Sequence, residues 1–578
     1  MKRRRFLKTM GAAAPGALAA GALSAQPAKP ETSVPEKEPR VFHYDDGRHA
    51  SGLYQFQPPL APDDLTRHVD QLIESGVDTL FYSAGLEGGA LQYDSRVGDK
   101  WGDNVQEWKH PIFFRASRNL QQLIADGHDP MQIMAERCQE KGIFFFPTLP
   151  VSIQGGDRET SLGYGRKSDF AYNSKFYVGE DSDPRAVNLG RFLGPTRMNF
   201  LHAEVRQERF RIFEELLTRY ASDGVELDLS IDNEFGPMCK FRDLEKYRAV
   251  LTAWIRDVRK VADAAASEQG RRKRVYVRIP ATTPDVWRSI GYDIATWVSE
   301  KLVDGLVCIT PYKKETRTGS LTFFDQDLDI RAAVKLTQGT ECRILTGIAS
   351  HLGRQLDSIA TPEMTWAAAA LAYELGSDGF GFASGMWAPH GWPWKAEDYS
   401  TLRLLGHPDM LAKANKTYFA PSQSRGEGTT LRDGRTLLPI ELVEGKAVTI
   451  PLRVVDDLER WSRLGRIHSV RLFVRLANFC PSIDAAEISF NGKKLPESLG
   501  RGSDMHFRVL EEAILGPYGY AVDFALPEEL YPKHGRNEVS VTLTRHEARL
   551  HAPRNLYDVA LLIEYLPHRN FPPVAVPF

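Results

Sequence analysis

The sequence predicts an α/β protein, a (β/α)8 TIM barrel followed by a jelly-roll-like β-sandwich, and three observations carry that reading. From residue 41 to about 415 one unit recurs: a short apolar or β-branched run, a polar loop, and an amphipathic helix ended by glycine. The unit occurs eight times, and eight βα units in one chain read as a closed barrel. Beyond about residue 420 the helical period disappears and short alternating runs take over. Asp45-Asp46-Gly47-Arg48, directly after the first run, has no glycine-rich phosphate turn, which argues against an open dinucleotide-binding sheet.

The expected strands are Val41 to Asp45, Thr79 to Ser83, Ile143 to Leu149, Val225 to Leu229, Val275 to Ile279, Gly305 to Thr310, Arg343 to Ile348 and Gly379 to Ala383. Pro62 starts a helix that ends at Gly76, and Asp129-Pro130, Thr283-Pro284 and Thr361-Pro362 each set an N-cap before a proline at the first helical position. Glu204 to Tyr220 puts Val205, Phe210, Phe213, Leu216 and Leu217 on one face. Two long insertions, 85 to 128 and 150 to 200, follow strands, on the C-terminal face where barrels build sites. Their aromatics, Tyr93, Trp101, Trp108 and those from Tyr164 to Tyr177, either form subsites or pack the loops.

The sandwich strands are expected at Ala447 to Val454, Ser469 to Leu476, Ala486 to Phe490, Tyr520 to Phe524, Asn537 to Thr544 and Val559 to Tyr565. Asn491-Gly492 marks a type I′ hairpin, whose two central residues need positive φ. Gly535-Arg536-Asn537-Glu538-Val539-Ser540-Val541 resembles the late strand of galactose-binding-like jelly rolls appended to carbohydrate enzymes.

Composition bounds the function. A chain of 578 residues is more than three times the roughly 150 of one domain, so several are expected: barrel at 41–420, sandwich at 421–578, and a Pro/Lys/Glu linker at 26–40. Apolar residues at 42% and charged residues at 26% fit a soluble globular chain, and a net charge of -2 gives no field favouring nucleic acid or an anionic membrane. The five cysteines contain no C-x-x-C pair, so buried inert thiols are expected. Residues 1–25, with Arg3-Arg4-Arg5-Phe6-Leu7-Lys8 before an Ala/Gly/Leu stretch, resemble a twin-arginine export signal. The stretch is too short and weakly apolar to span a bilayer core of about 30 Å, so the resemblance implies a periplasmic or secreted protein without stable membrane insertion.

The sharpest local signal is Asp223-Gly224-Val225-Glu226-Leu227-Asp228-Leu229-Ser230-Ile231-Asp232-Asn233-Glu234. Side chains alternate along a strand, so Glu226 and Asp228 share a face, expected to be the barrel interior, opposite Val225, Leu227 and Leu229. Two interior carboxylates are costly unless paired, with Arg278 or Lys313 the available cations, and close like charges raise one pKa, as a general acid requires. Asp228 is expected as nucleophile or electrostatic stabiliser, Glu234 as general acid/base, Asp232 as its substitute, and Glu226 one layer deeper.

That segment, with Glu204-Val205-Arg206 and Glu214 to Tyr220, resembles the fourth βα unit of bacterial TIM-barrel glycosidases of the family-10-like glycosyl hydrolase group. The resemblance extends over 41–415 through Asp45-Asp46-Gly47, Val77-Asp78-Thr79-Leu80 and Trp101-Gly102. The strand is also similar to the chitinase-type pattern D-x-x-D-x-D-x-E at Asp223 and Asp228, with Glu226 in place of the second Asp. It departs from that pattern at Ser230, which stands where the chitinase acid should be.

Other strand ends supply candidate substrate contacts: Asp45 and Asp46, Tyr82, Arg278, Tyr312 and Lys313, His351, and Trp387 with His390 and Trp392, followed by Trp394. Planar polar groups suit vicinal hydroxyls and aromatic faces suit the C–H surface of a sugar ring. No H-E-x-x-H, Cys/His cluster, calcium loop or G-x-S-x-G occurs, and Asp325-Gln326-Asp327-Leu328-Asp329 reads as a cap rather than a chelate, so neither metal nor cofactor is expected. The sequence thus points to an exported glycoside hydrolase acting on a poly- or oligosaccharide. The alternative is a non-catalytic carbohydrate-binding protein on the same barrel.

Overall fold

The structure, a computed structural model, describes residues 37–48, 52–158, 163–179, 194–231, 234–310, 313–316, 319–321, 323–348, 360–383, 394–423, 438–504 and 519–568. The twin-arginine segment lies outside the described residues. Eight parallel strands, β1 (Val41–Asp45), β2 (Thr79–Ser83), β3 (Phe144–Pro150), β4 (Gly224–Asp228), β5 (Arg274–Pro280), β6 (Gly305–Ile309), β7 (Arg343–Ile348) and β8 (Gly379–Phe382), pair each with its successor, and β8 pairs with β1. The fold is therefore a closed (β/α)8 barrel, as the recurring βα unit predicts. The helix at Pro130–Lys141 starts where Asp129 accepts a hydrogen bond from the Met131 N–H and stops at Gly142.

Register fixes which side chains fill the bore. Thr148 lies opposite Glu226, Glu226 opposite Tyr276, and Asp228 opposite Arg278. The same parity carried round the barrel puts Phe42, Phe81, Phe146 and Tyr276 in one interior layer, with Phe81 5.4 Å from Phe42, 5.3 Å from Phe146 and 5.7 Å from Tyr276 between ring centroids. Four rings from β1, β2, β3 and β5 leave no volume for large residues on the other side. Accordingly β6 to β8 present Gly305, Gly347 and Gly381, and a Cβ on Gly305 would stand 2.2 Å from the Tyr276 ring. Large residues on one half are accommodated by missing side chains on the other.

The C-terminal half stacks two antiparallel sheets, Lys416–Phe419, Asn555–Tyr565, Ile467–Ala477, Gly519–Ala525 and Gly500–Asp504 in one, Ala447–Val454, Gly535–Arg545, Ala485–Phe490 and Lys493–Lys494 in the other. Asn491 and Gly492, at φ 50° and 78°, form the expected tight turn. The strand Lys416–Phe419 already belongs to this sandwich, pairing with Asn555–Tyr565.

Barrel and sandwich meet along a polar seam on an apolar helix. The helix Pro362–Glu374 contains Trp366-Ala367-Ala368-Ala369-Ala370-Leu371, apolar around its circumference, so it is covered on two sides. Its Ala368 and Ala369 join the barrel core while Ala367 and Leu371 join that of the sandwich. Gln326, buried in the loop before the helix Arg331–Thr337, donates to Met364 O at 2.9 Å and Thr417 O at 2.8 Å and accepts from Phe419 N at 3.0 Å. Arg453 of the sandwich pairs with Asp327. The acidic run Asp325 to Asp329 thus serves the seam; within it, Asp325 accepts from the Asp327 N–H at 3.0 Å.

All five cysteines are free, four of them buried and Cys480 half-buried. Burial pushes the Cys342 thiol up to about 12 and lifts those of Cys138 and Cys308 as well.

Replacing Gln326 by Leu should orphan the Thr417 carbonyl and the Phe419 N–H, since Met364 O keeps its donor within the helix Pro362–Glu374. The expected loss is about 3 kcal/mol in chemical denaturation, since each buried unsatisfied group costs about 1–3 kcal/mol. A loss under about 0.5 kcal/mol would mean that the amide does not hold the seam.

Candidate active site

At the C-terminal end of the bore the interior layer above the aromatic rings is charged. Glu226 and Asp228, two residues apart on β4, face inward, and Arg278 reaches them from β5. The Arg278 and Glu226 side chains are 2% and 0% exposed. Arg278 donates from Nε to Oε1 at 3.0 Å and from Nη2 to Oε2 at 2.9 Å, and Thr148 Oγ1 donates to Oε2 at 2.6 Å. Burial pushes the Glu226 carboxyl upward against the opposing pull of Arg278, while the guanidinium, flanked by two carboxylates, stays charged. With three donors on its two oxygens, Glu226 is committed to the barrel interior.

Asp228 is held differently. Its Oδ1 accepts from Ser230 N at 2.8 Å and Ser230 Oγ at 2.6 Å, while Oδ2 stands 3.8 Å from Arg278 Nη1. One oxygen is fixed and the other has only a long ionic contact among the described residues. The turn after β4 continues into a two-residue antiparallel pair in which Ser230 faces Phe235 and Ile231 faces Glu234. Backbone pairing therefore brings the residue Glu234 back beside the end of β4; its side chain lies outside the described residues. Asp223, at the other end of the strand, accepts from Phe145 N at 2.8 Å and pairs with Arg271 at 2.7 Å, a structural role far from the mouth.

Two residues expected to contact substrate lie elsewhere. Asp45 and Tyr82 have the opposite parity to the bore residues and face the helices. Asp45 accepts from Gly47 N at 2.8 Å and lies 3.6 Å from His68 Nδ1 on the helix Pro62–Leu72, and Tyr82 packs on Phe145 at 6.2 Å. Both faces of a parallel barrel strand are buried, so polarity does not mark the inner one. The inward residue of β1 is Tyr44, which sequence reasoning missed: its ring lies 4.4 Å from the Arg278 guanidinium carbon. Counting in twos from Phe42 would have found it. Burial, Asp46 and Asp228 raise its phenol pKa, with Arg278 opposing, so it is a neutral hydrogen-bond donor.

Asp46 does stand at the mouth, 3.5 Å from Arg48 Nε. Arg48 lies 4.0 Å from Glu87, which pairs with Arg166 at 2.7 Å, so the first strand and both insertions meet in one chain of charges with buried carboxylates and half-buried arginines. Burial pushes Glu87 upward, but Arg166 and Arg48 outweigh it and hold the carboxyl low. Asp232, Tyr312, His351, Trp387, His390 and Trp392 lie outside the described residues, and of Lys313 only the backbone, opening the strand Lys313–Thr316, is described. Among the described residues no three of His, Cys, Asp and Glu group as metal ligands, and no helix is long and apolar enough to cross a membrane.

No family model matches the chain, and no curated protein matches it. Solved structures similar to it include a cycloisomaltooligosaccharide glucanotransferase from Paenibacillus sp., 9% identical with a TM-score of 0.34 over 90% of this chain and 57% of that one. An alpha-L-fucosidase from Paenibacillus thiaminolyticus is 13% identical, TM-score 0.37, over 65% and 50%. A class V chitinase from Pseudomonas fluorescens Pf-5 is 12% identical, TM-score 0.34, over 63% and 99%. The chain thus spans only about half the length of the first two.

Beside the site, His43 packs edge-on against Trp394 at 5.3 Å. Burial lowers its pKa to about 4, with Asp46 opposing, and burial then the His43 charge lower that of His68 to about 3. Both are depressed relative to the unfolded chain at about 6.5, so the unfolded state takes up protons first as pH falls. Stability should therefore be unaffected by these groups above pH about 6.5 and fall between about 6.5 and 4, by up to roughly 3 kcal/mol for His43. In thermal melts across that range His43→Gln should flatten the acid limb; an unchanged limb would show that His43 does not titrate with unfolding.

Proposed function

We propose that the chain is an exported glycoside hydrolase that cleaves glycosidic bonds in a poly- or oligosaccharide with a carboxylate pair. The observation that carries this reading is Asp228: a carboxylate at the C-terminal end of a barrel strand, one oxygen locked by Ser230, the other 3.8 Å from a buried guanidinium. A fixed carboxylate of this kind stabilises, or attacks, an oxocarbenium-like centre. Glu234 is assigned as general acid/base, with Asp232 as its substitute, because the turn after β4 returns this segment to the strand end. Glu226 orients Arg278, and Tyr44 and Asp46 border the substrate. Tyr312, Lys313, His351, Trp387, His390 and Trp392 complete the proposed cleft from later strands.

Asp228→Asn, isosteric with wild type, should lower kcat on an aryl glycoside or polysaccharide found by screening by about 10² or more, with the melting temperature little changed. A near wild-type rate would sink the assignment. The competing reading, a non-catalytic carbohydrate-binding protein, is favoured by the full commitment of Glu226 to Arg278. It predicts retained binding and no turnover in wild type and variant alike.

Export is part of the proposal. Replacing Arg3, Arg4 and Arg5 together by Lys should leave the protein in the cytoplasm of an expressing cell, as fractionation would show. Normal export of that variant would remove the twin-arginine assignment.

A further inference from the structure

Among the described aromatics of the two insertions, Tyr93, Trp101, Phe176 and Phe200 are buried and the others are half-buried or exposed. Tyr93 and Trp101 are fully enclosed and pack the loops. Three rings are exposed, Phe114 at 45%, Tyr164 at 39% and His110, and the half-buried Trp108 adjoins them. They form two pairs, which adjoin where the Trp108 ring lies against Gly165, next to Tyr164. Tyr164 lies 6.2 Å from His110 with near-parallel rings and 5.1 Å from Phe113, and Trp108 lies 5.8 Å from Phe114.

The display of Tyr164 is built into the backbone. It stands between Gly163 and Gly165, at φ 86° and 63°, conformations that L side chains rarely adopt. A Cβ on Gly163 would fall 2.4 Å from Lys109 N, and one on Gly165 2.8 Å from the Trp108 ring. The second insertion is thus pressed onto the first, where Lys109 N donates to Gly163 O and the buried Trp101 Nε1 donates to Tyr164 O at 3.1 Å. A clamped tight turn thus holds a large ring with 39% of its surface open to solvent, which packing alone does not account for.

A run of side-chain contacts joins this strip of rings to the candidate cleft. Arg166 sits 5.8 Å over the Phe113 ring and pairs with Glu87, which leads through Arg48 to Asp46 at the mouth. We propose that Trp108, His110, Phe114 and Tyr164 form a distal subsite on which units of an extended glycan chain stack while another part of the chain lies in the cleft. Aromatic faces take the C–H surfaces of the sugar rings, and His110 and Lys109 supply polar groups at the edge for hydroxyls. The inference rests on the carbohydrate reading of the site, though not on its hydrolytic chemistry, and it makes a long chain rather than a short oligosaccharide the substrate.

The test is native affinity electrophoresis of the full chain through gels containing laminarin, xylan, hydroxyethylcellulose or polygalacturonate. Wild type should be retarded in at least one gel. The double variant Tyr164→Ala, Phe114→Ala should lose about tenfold in affinity, whereas Tyr164→Trp should keep it. These side chains are exposed, so far-ultraviolet circular dichroism should show intact folding. Strip-dependent retardation without hydrolysis by the wild type would sink the hydrolase reading and leave the subsite standing, which separates the two proposals. No retardation in any gel, or equal retardation of the double variant, overturns the subsite. So does a concentration-dependent dimer, seen in sedimentation, that the double variant abolishes, since the strip would then be a self-association surface.

Discussion

A guanidinium placed where water cannot reach is the constraint around which the barrel is organised. Arg278 is charged at any accessible pH, and an uncompensated buried charge is unaffordable, so its surroundings are dictated. Glu226 on β4 takes two of its N–H groups, Thr148 on β3 completes that carboxylate, Tyr44 on β1 offers its π face, and Asp228 stands at ionic distance. Four of the eight strands are tied to one side chain. Removing either partner of such a pair costs about 3–5 kcal/mol, because the other charge is stranded. The same arrangement divides the two carboxylates, the deeper one consumed by structure and the shallower one left with an oxygen toward the mouth.

The aromatic layer beneath is the second consequence of a closed bore. Phe42, Phe81, Phe146 and Tyr276 crowd one side, so the opposite strands are reduced to glycine. Charged groups above this plug have no route downward and must pair with one another or face the mouth. That is why chemistry on this fold collects at strand ends and in the insertions behind them.

The architecture was legible in the sequence because its signals are local. Eight short apolar runs, proline-opened helices and the Asn491-Gly492 turn all depend on neighbours within a few residues, and all are present, although the helix opened by Pro62 stops at Leu72 rather than Gly76 and Thr283 makes no side-chain cap. The inward direction of Glu226 and Asp228 was also legible, since two carboxylates among valine and leucine mark an alternation. On β1 and β2 no such contrast exists: Asp45 faces the helices and the half-buried Tyr44 the bore, Phe81 and Tyr82 are both buried, and residue type does not mark the inner face. The chain Asp46–Arg48–Glu87–Arg166 was invisible for another reason, because it joins residues far apart in sequence that only the folded insertions bring together. Likewise the acidic run at 325–329 looked like a helix cap, and its service to the seam depends on Arg453 and Thr417, contributed by a later part of the chain.

The free thiols carry a consequence for how the protein is made. None of the five is bonded to another, and burial keeps at least Cys138, Cys308 and Cys342 protonated, so they are poor nucleophiles toward oxidants or other disulfides. The fold owes its cohesion to packing and ion pairs and needs no oxidant to complete it. A chain of this kind reaches the same native state in a reducing cytoplasm as in an oxidising medium. Its folding therefore depends on no thiol-oxidising or disulfide-isomerising helper.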